Sequence, residues 1–213
     1  MKDSDPLDQR LAEGMAALGL PHPPELRCRL LAFLALLEKW SRAYNLTAIR
    51  EPCALVDLHL LDSLTLAPYL HGASLLDVGT GAGLPGLPLA IVHADKEFVL
   101  LDSRAKKTRF VRQAVIELGL KNVDVVTARV EQYRPGQSFD TVLARAFASL
   151  EELVAGTARL LAPHGKILAQ KGRLPLNELE NLTDHCVRVH RLAIPGLTLE
   201  RHLIEIRRLE SDG

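Results

Sequence analysis

The segment richest in chemistry runs Leu75-Leu76-Asp77-Val78-Gly79-Thr80-Gly81-Ala82-Gly83-Leu84-Pro85-Gly86. A short apolar run ends here in a crowd of glycines. Without side chains, the backbone can turn tightly and bring its amides close to a ligand. A turn that serves structure alone rarely needs so many. Gly81, Gly83 and Gly86 spell GxGxxG, and Asp102 closes the next apolar run where a ribose-binding acid belongs. That is the dinucleotide pattern. It fits imperfectly, because the first glycine of a dinucleotide loop should end the strand, and Gly79 already does so. The better description is Asp77-x-Gly79-x-Gly81-x-Gly83, with Asp102 ending the second strand.

Such a loop needs a scaffold that gathers strand ends. From residue 73 the sequence supplies one. SLLDVGT, EFVLLD, VDVVTA, FDTVLAR and HGKILAQKG read as strands. LPLAIVH, AKKTRFVRQAVIELGL and a stretch from about Leu150 to Leu161 read as helices, with NELENLTDH a weaker one. VRVHRLAIPG and RHLIEIRRL lie close together, as an antiparallel pair would. Alternation of this kind implies a mostly parallel α/β sheet with helices on both faces, and the closing pair brings it to seven strands. Residues 1–72 read instead as a helical extension packed on the 73–213 domain. Pro23 and Pro24 can open a helix. Leu26, Leu30, Phe33, Leu34, Leu37 and Trp40 then form one apolar stripe at helical spacing. Such a stripe predicts packing on the domain body. A second stripe runs from Leu55 to Leu70.

Composition narrows the function. Hydrophobic residues make up 47% of the 213 and charged residues 24%, so a packed core is expected. Aromatics are only 4%, which suits an aliphatic α/β core. The 26 basic residues balance the 26 acidic ones, so any nucleic acid must be held by local patches. Cys28, Cys53 and Cys186 lie far apart with no CxxC, which points to a reduced, cytoplasmic setting without a disulfide framework. Neither HExxH nor a paired ligand set suggests a metal. No run has the apolar length of a membrane span, and the N-terminus lacks a signal core. Nothing calls for an obligate protein partner.

The loop and Asp102 resemble those of class I, Rossmann-like S-adenosylmethionine methyltransferases. The resemblance implies that Gly79, Gly81 and Gly83 pack on the methionine and ribose of that cofactor, and that Asp102 accepts from the ribose hydroxyls. Subclasses are tested by absence. Strand four ends Leu143-Ala144-Arg145-Ala146-Phe147, without the proline turn of adenine and cytosine amino-methyltransferases. No cysteine follows strand four or five to attack a pyrimidine. Clustered acids for a metal-assisted mechanism are missing, and Arg145 and Lys171 stand there instead. Acceptors with a free lone pair remain, guanine N7 among them.

Further along, the chain resembles the bacterial 16S ribosomal RNA guanine-N7 methyltransferases, also called glucose-inhibited division protein B. The matching residues are Trp40, Tyr44-Asn45-Leu46-Thr47, His59-Leu60-Leu61-Asp62-Ser63, the glycine loop, Leu101-Asp102-Ser103 and Lys106. Arg129-Val130-Glu131, Arg145-Ala146-Phe147-Ala148-Ser149-Leu150, Lys171-Gly172 and Glu200-Arg201-His202 continue the match. Ala82 departs, standing where some members have proline. The resemblance implies that Gly79, Leu84, Val130, Glu131 and Arg145 contact the cofactor, and that the substrate is 16S rRNA, free or within a small-subunit particle. Two other readings compete: an NAD-dependent oxidoreductase built on the GxGxxG, and a non-catalytic RNA-binding module. With the strands in the expected order, Lys106, Arg129, Arg145 and Lys171 ring one rim, where such charges position RNA through its phosphates. Arg145 then touches cofactor, nucleotide or both. Phe147 either stacks on a splayed base or belongs to the core. Asn45 either bonds the nucleotide or caps a turn. The expected mechanism has no obligatory general base.

Overall fold

The computed structural model describes residues 5–145 and 149–209. Its first five apolar runs become parallel strands because a crossover returns the chain to the same end of the sheet after each of them. In chain order these elements are β1 (Ser74–Val78), α5 (Gly86–Val92), β2 (Glu97–Asp102), α6 (Ala105–Glu117), β3 (Val123–Thr127), β4 (Phe139–Arg145), α7 (Leu150–Thr157) and β5 (Leu161–Lys171). A short α8 (Leu176–Leu179) leads to β6 (His185–Arg191) and β7 (His202–Arg208). The sheet order is β3-β2-β1-β4-β5-β7-β6. Only β7 runs against its neighbours, inserted between β5 and β6. The expected seven-stranded, mostly parallel sheet is therefore present. The chain winds outward from β1 to β3, then crosses back to place β4 on the other side of β1. That reversal opens a crevice at the carboxyl ends of β1 and β4, where ligands of open α/β sheets bind.

Both faces of the sheet are buried, with alternation setting the face. Leu75, Phe98 and Leu100 share one cluster with Leu11, Leu30, Phe33 and Phe110. Leu76, Val99 and Leu101 share the other with Phe139, Leu150, Leu153 and Ile204. The N-terminal helices α1 (Pro6–Ala17) and α2 (Pro24–Tyr44) are thus part of the first core. The α2 stripe buries Leu30, Phe33, Leu34 and Leu37 as expected. Phe110 of α6 receives it, with ring centroids 6.4 Å from Phe33 and 5.8 Å from Trp40.

Besides the weak helix expected over NELENLTDH, which shortens to Leu176–Leu179, two stretches depart from the sequence reading. The helix expected from Leu150 to Leu161 stops at Thr157; a 3₁₀ turn (Ala158–Leu160) follows, and β5 starts at Leu161. Pairing of β4 with β5 then slips from Phe139↔Leu161 to Thr141↔Lys166, and the extra residues bulge out. Gly165 sits inside that bulge, where a Cβ would lie 2.9 Å from the Phe139 carbonyl oxygen. The second stripe is a broken helix. α3 (Pro52–Leu55) widens into a π-helical turn (Val56–Leu61), continues as α4 (Asp62–Leu64) and closes with a 3₁₀ turn (Ala67–Tyr69). Wide turns of this type recur at functional sites.

Candidate active site

The glycine turn is held by its acids. Asp102 ends β2 and accepts from Gly81 N–H at 2.9 Å and Arg104 N–H at 2.8 Å. The Gly79 and Thr80 amides bond the Leu101 carbonyl at 2.8 and 3.0 Å, locking the turn to β2. Gly79, Gly81 and Gly83 all have positive φ, at 71°, 60° and 79°, which L side chains rarely adopt. Their surroundings differ. Gly79 is exposed and, its chain neighbours aside, no atom of the described residues lies within 4 Å of where its Cβ would project. A Cβ on Gly83 would instead run into Leu87 of α5. So Gly83 lets helix and loop pack, and Leu84 is buried behind it.

A cavity of about 270 Å³ opens above this turn. Val78, Gly79, Asp102, Lys107, Arg129, Val130 and Glu131 are among its lining residues. Four of the residues expected at a cofactor therefore share one cavity: Gly79, Asp102, Val130 and Glu131. Arg129, expected at RNA, also lies there.

Beneath the loop, Asp77 is fully buried. Its Oδ2 accepts from Thr80 Oγ1 at 2.7 Å and Gly86 N–H at 2.9 Å, while Oδ1 has no partner among the described residues. Burial pushes this carboxyl from 3.8 up to about 6. The folded chain thus binds this proton more tightly than the unfolded chain. The group's contribution to stability is greatest below pH 3.8 and falls as pH rises through about 6. Asp77→Asn keeps an acceptor for both donors and removes the buried charge. Urea unfolding from acid to neutral pH should show the variant gaining on the wild type across that window. A free-energy difference independent of pH would refute this account.

A second cavity, about 360 Å³, lies at the carboxyl ends of β4 and β5. Arg145 and Gln170 are register partners on those strands. Lys171, Gly172 and Arg201 join them, and the N-terminal region closes the cavity with Ile49, Leu58, His59 and Asp62. Asp62, only 2% exposed, is the hub. Its Oδ1 accepts from Arg201 Nε and Gln170 Nε2, each at 2.9 Å, and its Oδ2 lies 3.5 Å from Arg145 Nη1. Burial raises the Asp62 carboxyl, and the two guanidiniums pull against that rise. The π-helical turn brings the Leu58 carbonyl within 3.5 Å of Arg145 Nη1. His59 reaches Thr47 Oγ1 through Nε2 at 2.8 Å and the Leu58 carbonyl through Nδ1 at 3.1 Å. Since Ile49 N–H donates to Thr47 Oγ1, the hydroxyl is free to donate to Nε2, leaving Nδ1 to carry the proton. Burial, with Arg145 nearby, lowers the His59 pKa to about 4, so the ring is neutral at physiological pH.

Sequence reasoning found Arg145 and Lys171 but gave no role to His59, Asp62, Gln170 or Arg201. Charged and imidazole groups within the apolar Leu55–Leu70 stripe were the available signal, because such groups are seldom buried without a partner. His59 reaches the ends of β4 and β5 from the N-terminal region.

Of the other expected RNA contacts, Lys106 and Asn45 lie beside Tyr44. Lys106 Nζ stands 5.0 Å from the centroid of the Tyr44 ring, which stacks on Trp40. Asn45, the next residue, is exposed and ends α2 in the left-handed region at φ 50°, so it does cap a turn. Lys171 bonds Glu178 at 3.0 Å. Phe147 lies outside the described residues. Another cavity, about 610 Å³, sits among α1, α2 and α3 and includes none of the strand-end residues in its lining.

A glycine turn at the switch point, an acid ending β2 and a β7 inserted beside β5 define a Rossmann-like methyltransferase fold. A structure described as a SAM dependent methyltransferase from Aquifex aeolicus shares that fold, with a TM-score of 0.56 at 18% identity over 72% of this chain and 92% of that one. The family model for rRNA small subunit methyltransferase G, GidB, matches residues 27–204. The ribosomal RNA small subunit methyltransferase G of Methylococcus capsulatus is 55% identical over 95% of this chain and 100% of its own. That of Nitrosococcus oceani is 50% identical over 92% and 93%. The chain belongs to the rRNA small subunit methyltransferase G family. This membership sets aside both the oxidoreductase and the non-catalytic readings.

Proposed function

We propose that this chain transfers the methyl group of S-adenosylmethionine to N7 of a guanosine in 16S rRNA of the small ribosomal subunit, in the cytoplasm. The observation that carries the reading is the pair of cavities along one sheet edge. One is built on Gly79 and Asp102 and suits a nucleoside; the other presents Arg145, Lys171 and Arg201 to a polyanion. Open space beside Gly79 and the acceptor chemistry of Asp102 fit the cofactor. S-adenosylmethionine supplies an activated methyl group on a sulfonium centre. After serving Gly81 and Arg104, the Asp102 carboxylate keeps lone pairs for ribose hydroxyls. Val130 and Glu131 flank the adenine side, and Gly81, Gly83 and Leu84 shape the loop. Residues 1–72 act as an extension that completes the second cavity. Asn45, Lys106, Arg129, Arg145 and Lys171 hold the RNA, with Arg145 on the nucleotide side.

Guanine N7 carries an in-plane lone pair and no proton, so transfer requires no base. His59 has both nitrogens engaged, and the Asp62 carboxylate is held by an arginine, a glutamine and a nearby second arginine. Catalysis then comes chiefly from holding reactants in line, which can supply about 7–11 kcal/mol. The test uses small-subunit RNA or particles from cells lacking the protein. Purified protein and S-adenosylmethionine should convert one guanosine to N7-methylguanosine, identified by nucleoside mass spectrometry. Methyl on any other atom refutes the reading. Single-turnover rates at saturating RNA should be nearly flat from neutral to mildly alkaline pH. A steep rise that one side-chain replacement abolishes, with binding intact, would reveal a base.

A further inference from the structure

Gln170 is 3% exposed and lines the second cavity. Its Nε2 donates to the Asp62 carbonyl at 3.1 Å and to Asp62 Oδ1 at 2.9 Å. Both groups are acceptors, so the amide can stand only this way round. That leaves Oε1 as an obligatory acceptor, and it has no hydrogen-bond partner among the described residues. A buried acceptor without a partner is unfavourable in the protein alone, and a ligand that donates to it relieves that state. On both sides stand donors held by the same carboxylate: Arg145, the register partner of Gln170, and Arg201.

We propose that Gln170 Oε1 is the specificity-determining acceptor for the target base, receiving the N1–H or N2–H of guanine, while the Arg145 and Arg201 guanidiniums face its O6. The inference rests on the reading of the substrate as guanosine. Guanine places an acceptor, O6, beside a donor, N1–H. Adenine reverses both, with an N6 amino group beside a bare N1. It would set a lone pair against Oε1 and amino hydrogens against the guanidiniums. Recognition of a base in RNA by its Watson–Crick edge follows this logic. N7 lies on the Hoogsteen edge and N1 on the Watson–Crick edge, so the contact at N1 leaves the methyl acceptor open. Asp62 is a positioning residue here, since it orients Oε1 without touching the base.

Guanosine and adenosine monophosphates would be compared as inhibitors of rRNA methylation at saturating S-adenosylmethionine. The unaltered protein should be inhibited by the guanine nucleotide at concentrations about tenfold lower, the worth of roughly one hydrogen bond. Gln170→Met, similar in length but with only a weak thioether acceptor, should shrink that preference to the part the two guanidiniums supply and lower kcat/KM on RNA about tenfold, with S-adenosylhomocysteine affinity unchanged. No preference in the unaltered protein, or a preference undiminished in Gln170→Met, overturns the proposal. The first arm needs no variant, so it decides even if Gln170→Met fails to fold. Product analysis separates the two ideas. N7-methylguanosine without base preference defeats only Gln170, whereas absence of N7-methylguanosine defeats the functional reading beneath it.

Discussion

Asp62→Ala should lower methylation kcat/KM by about 10²- to 10³-fold while leaving cofactor affinity nearly intact. The carboxylate is 2% exposed and bonds Arg201 and Gln170, with Arg145 close by. Removing one member of a buried charged cluster costs about 3–5 kcal/mol, because the partners remain buried without compensation. Here the stranded partners are two guanidiniums that line the cavity, so the loss falls on substrate placement as well as on stability. Gln170 would keep its bond to the main-chain carbonyl of residue 62. Asp62→Asn retains one acceptor and should lose less. Asp62 does not line the cavity that contains Asp102. Calorimetry with S-adenosylhomocysteine should therefore give similar values for wild type and variant. Near-normal turnover would show that the hub is only structural. A parallel collapse of cofactor binding would move Arg145 to the cofactor instead.

The sheet was legible because its signals are local. β1 closes on a glycine and β2 on an acid, a helical stripe follows each, and β3 and β4 are compact apolar runs, so β1 to β4 stand where the residues placed them. The antiparallel end pair was legible from the short link between residues 191 and 202. The start of β5 was not, because it depends on a bulge. Leu160 and Leu161 continue the apolar pattern of α7, and only the slipped pairing with β4 decides that Leu161 belongs to a strand. A long-range pairing of this kind leaves no periodicity behind it.

The glycine loop and Asp102 were legible for the same reason as the sheet: loop and acid sit on consecutive strands of one βαβ unit. The second cavity draws on four separate parts of the chain. Ile49, His59 and Asp62 meet Arg145, Gln170 and Arg201 only because the N-terminal helices pack on the sheet face that α5 and α6 also cover. A π-helical turn has no spacing signature distinct from an α-helix over six residues, so the direction of the Leu58 carbonyl was invisible. Gly83 shows the converse. A motif position expected at the cofactor has a packing reason of its own in Leu87.

Asp102→Ala is expected to weaken S-adenosylmethionine binding by roughly a hundredfold, more than the loss of a single ribose contact would produce. One charged hydrogen bond is worth about 1.5–3 kcal/mol. This carboxylate also accepts from the Gly81 and Arg104 amides. Its removal leaves both donors without that partner and frees a turn in which Gly79, Gly81 and Gly83 hold left-handed conformations. The variant must then order the loop at the moment of binding, and that cost is subtracted from affinity. Asp102→Asn keeps an acceptor and should fall between wild type and alanine. Calorimetry measures the affinities, and the ligand-induced rise in thermal midpoint should shrink in the same order. A ribose-modified ligand separates direct contact from loop ordering. S-adenosylhomocysteine lacking the 2′-hydroxyl should bind the wild type more weakly than the parent compound. In Asp102→Ala the two compounds should bind alike, because the partner of that hydroxyl is gone. Such non-additivity is the mark of a shared contact. If deleting the hydroxyl costs the same in both proteins, Asp102 shapes the loop but does not touch the ribose.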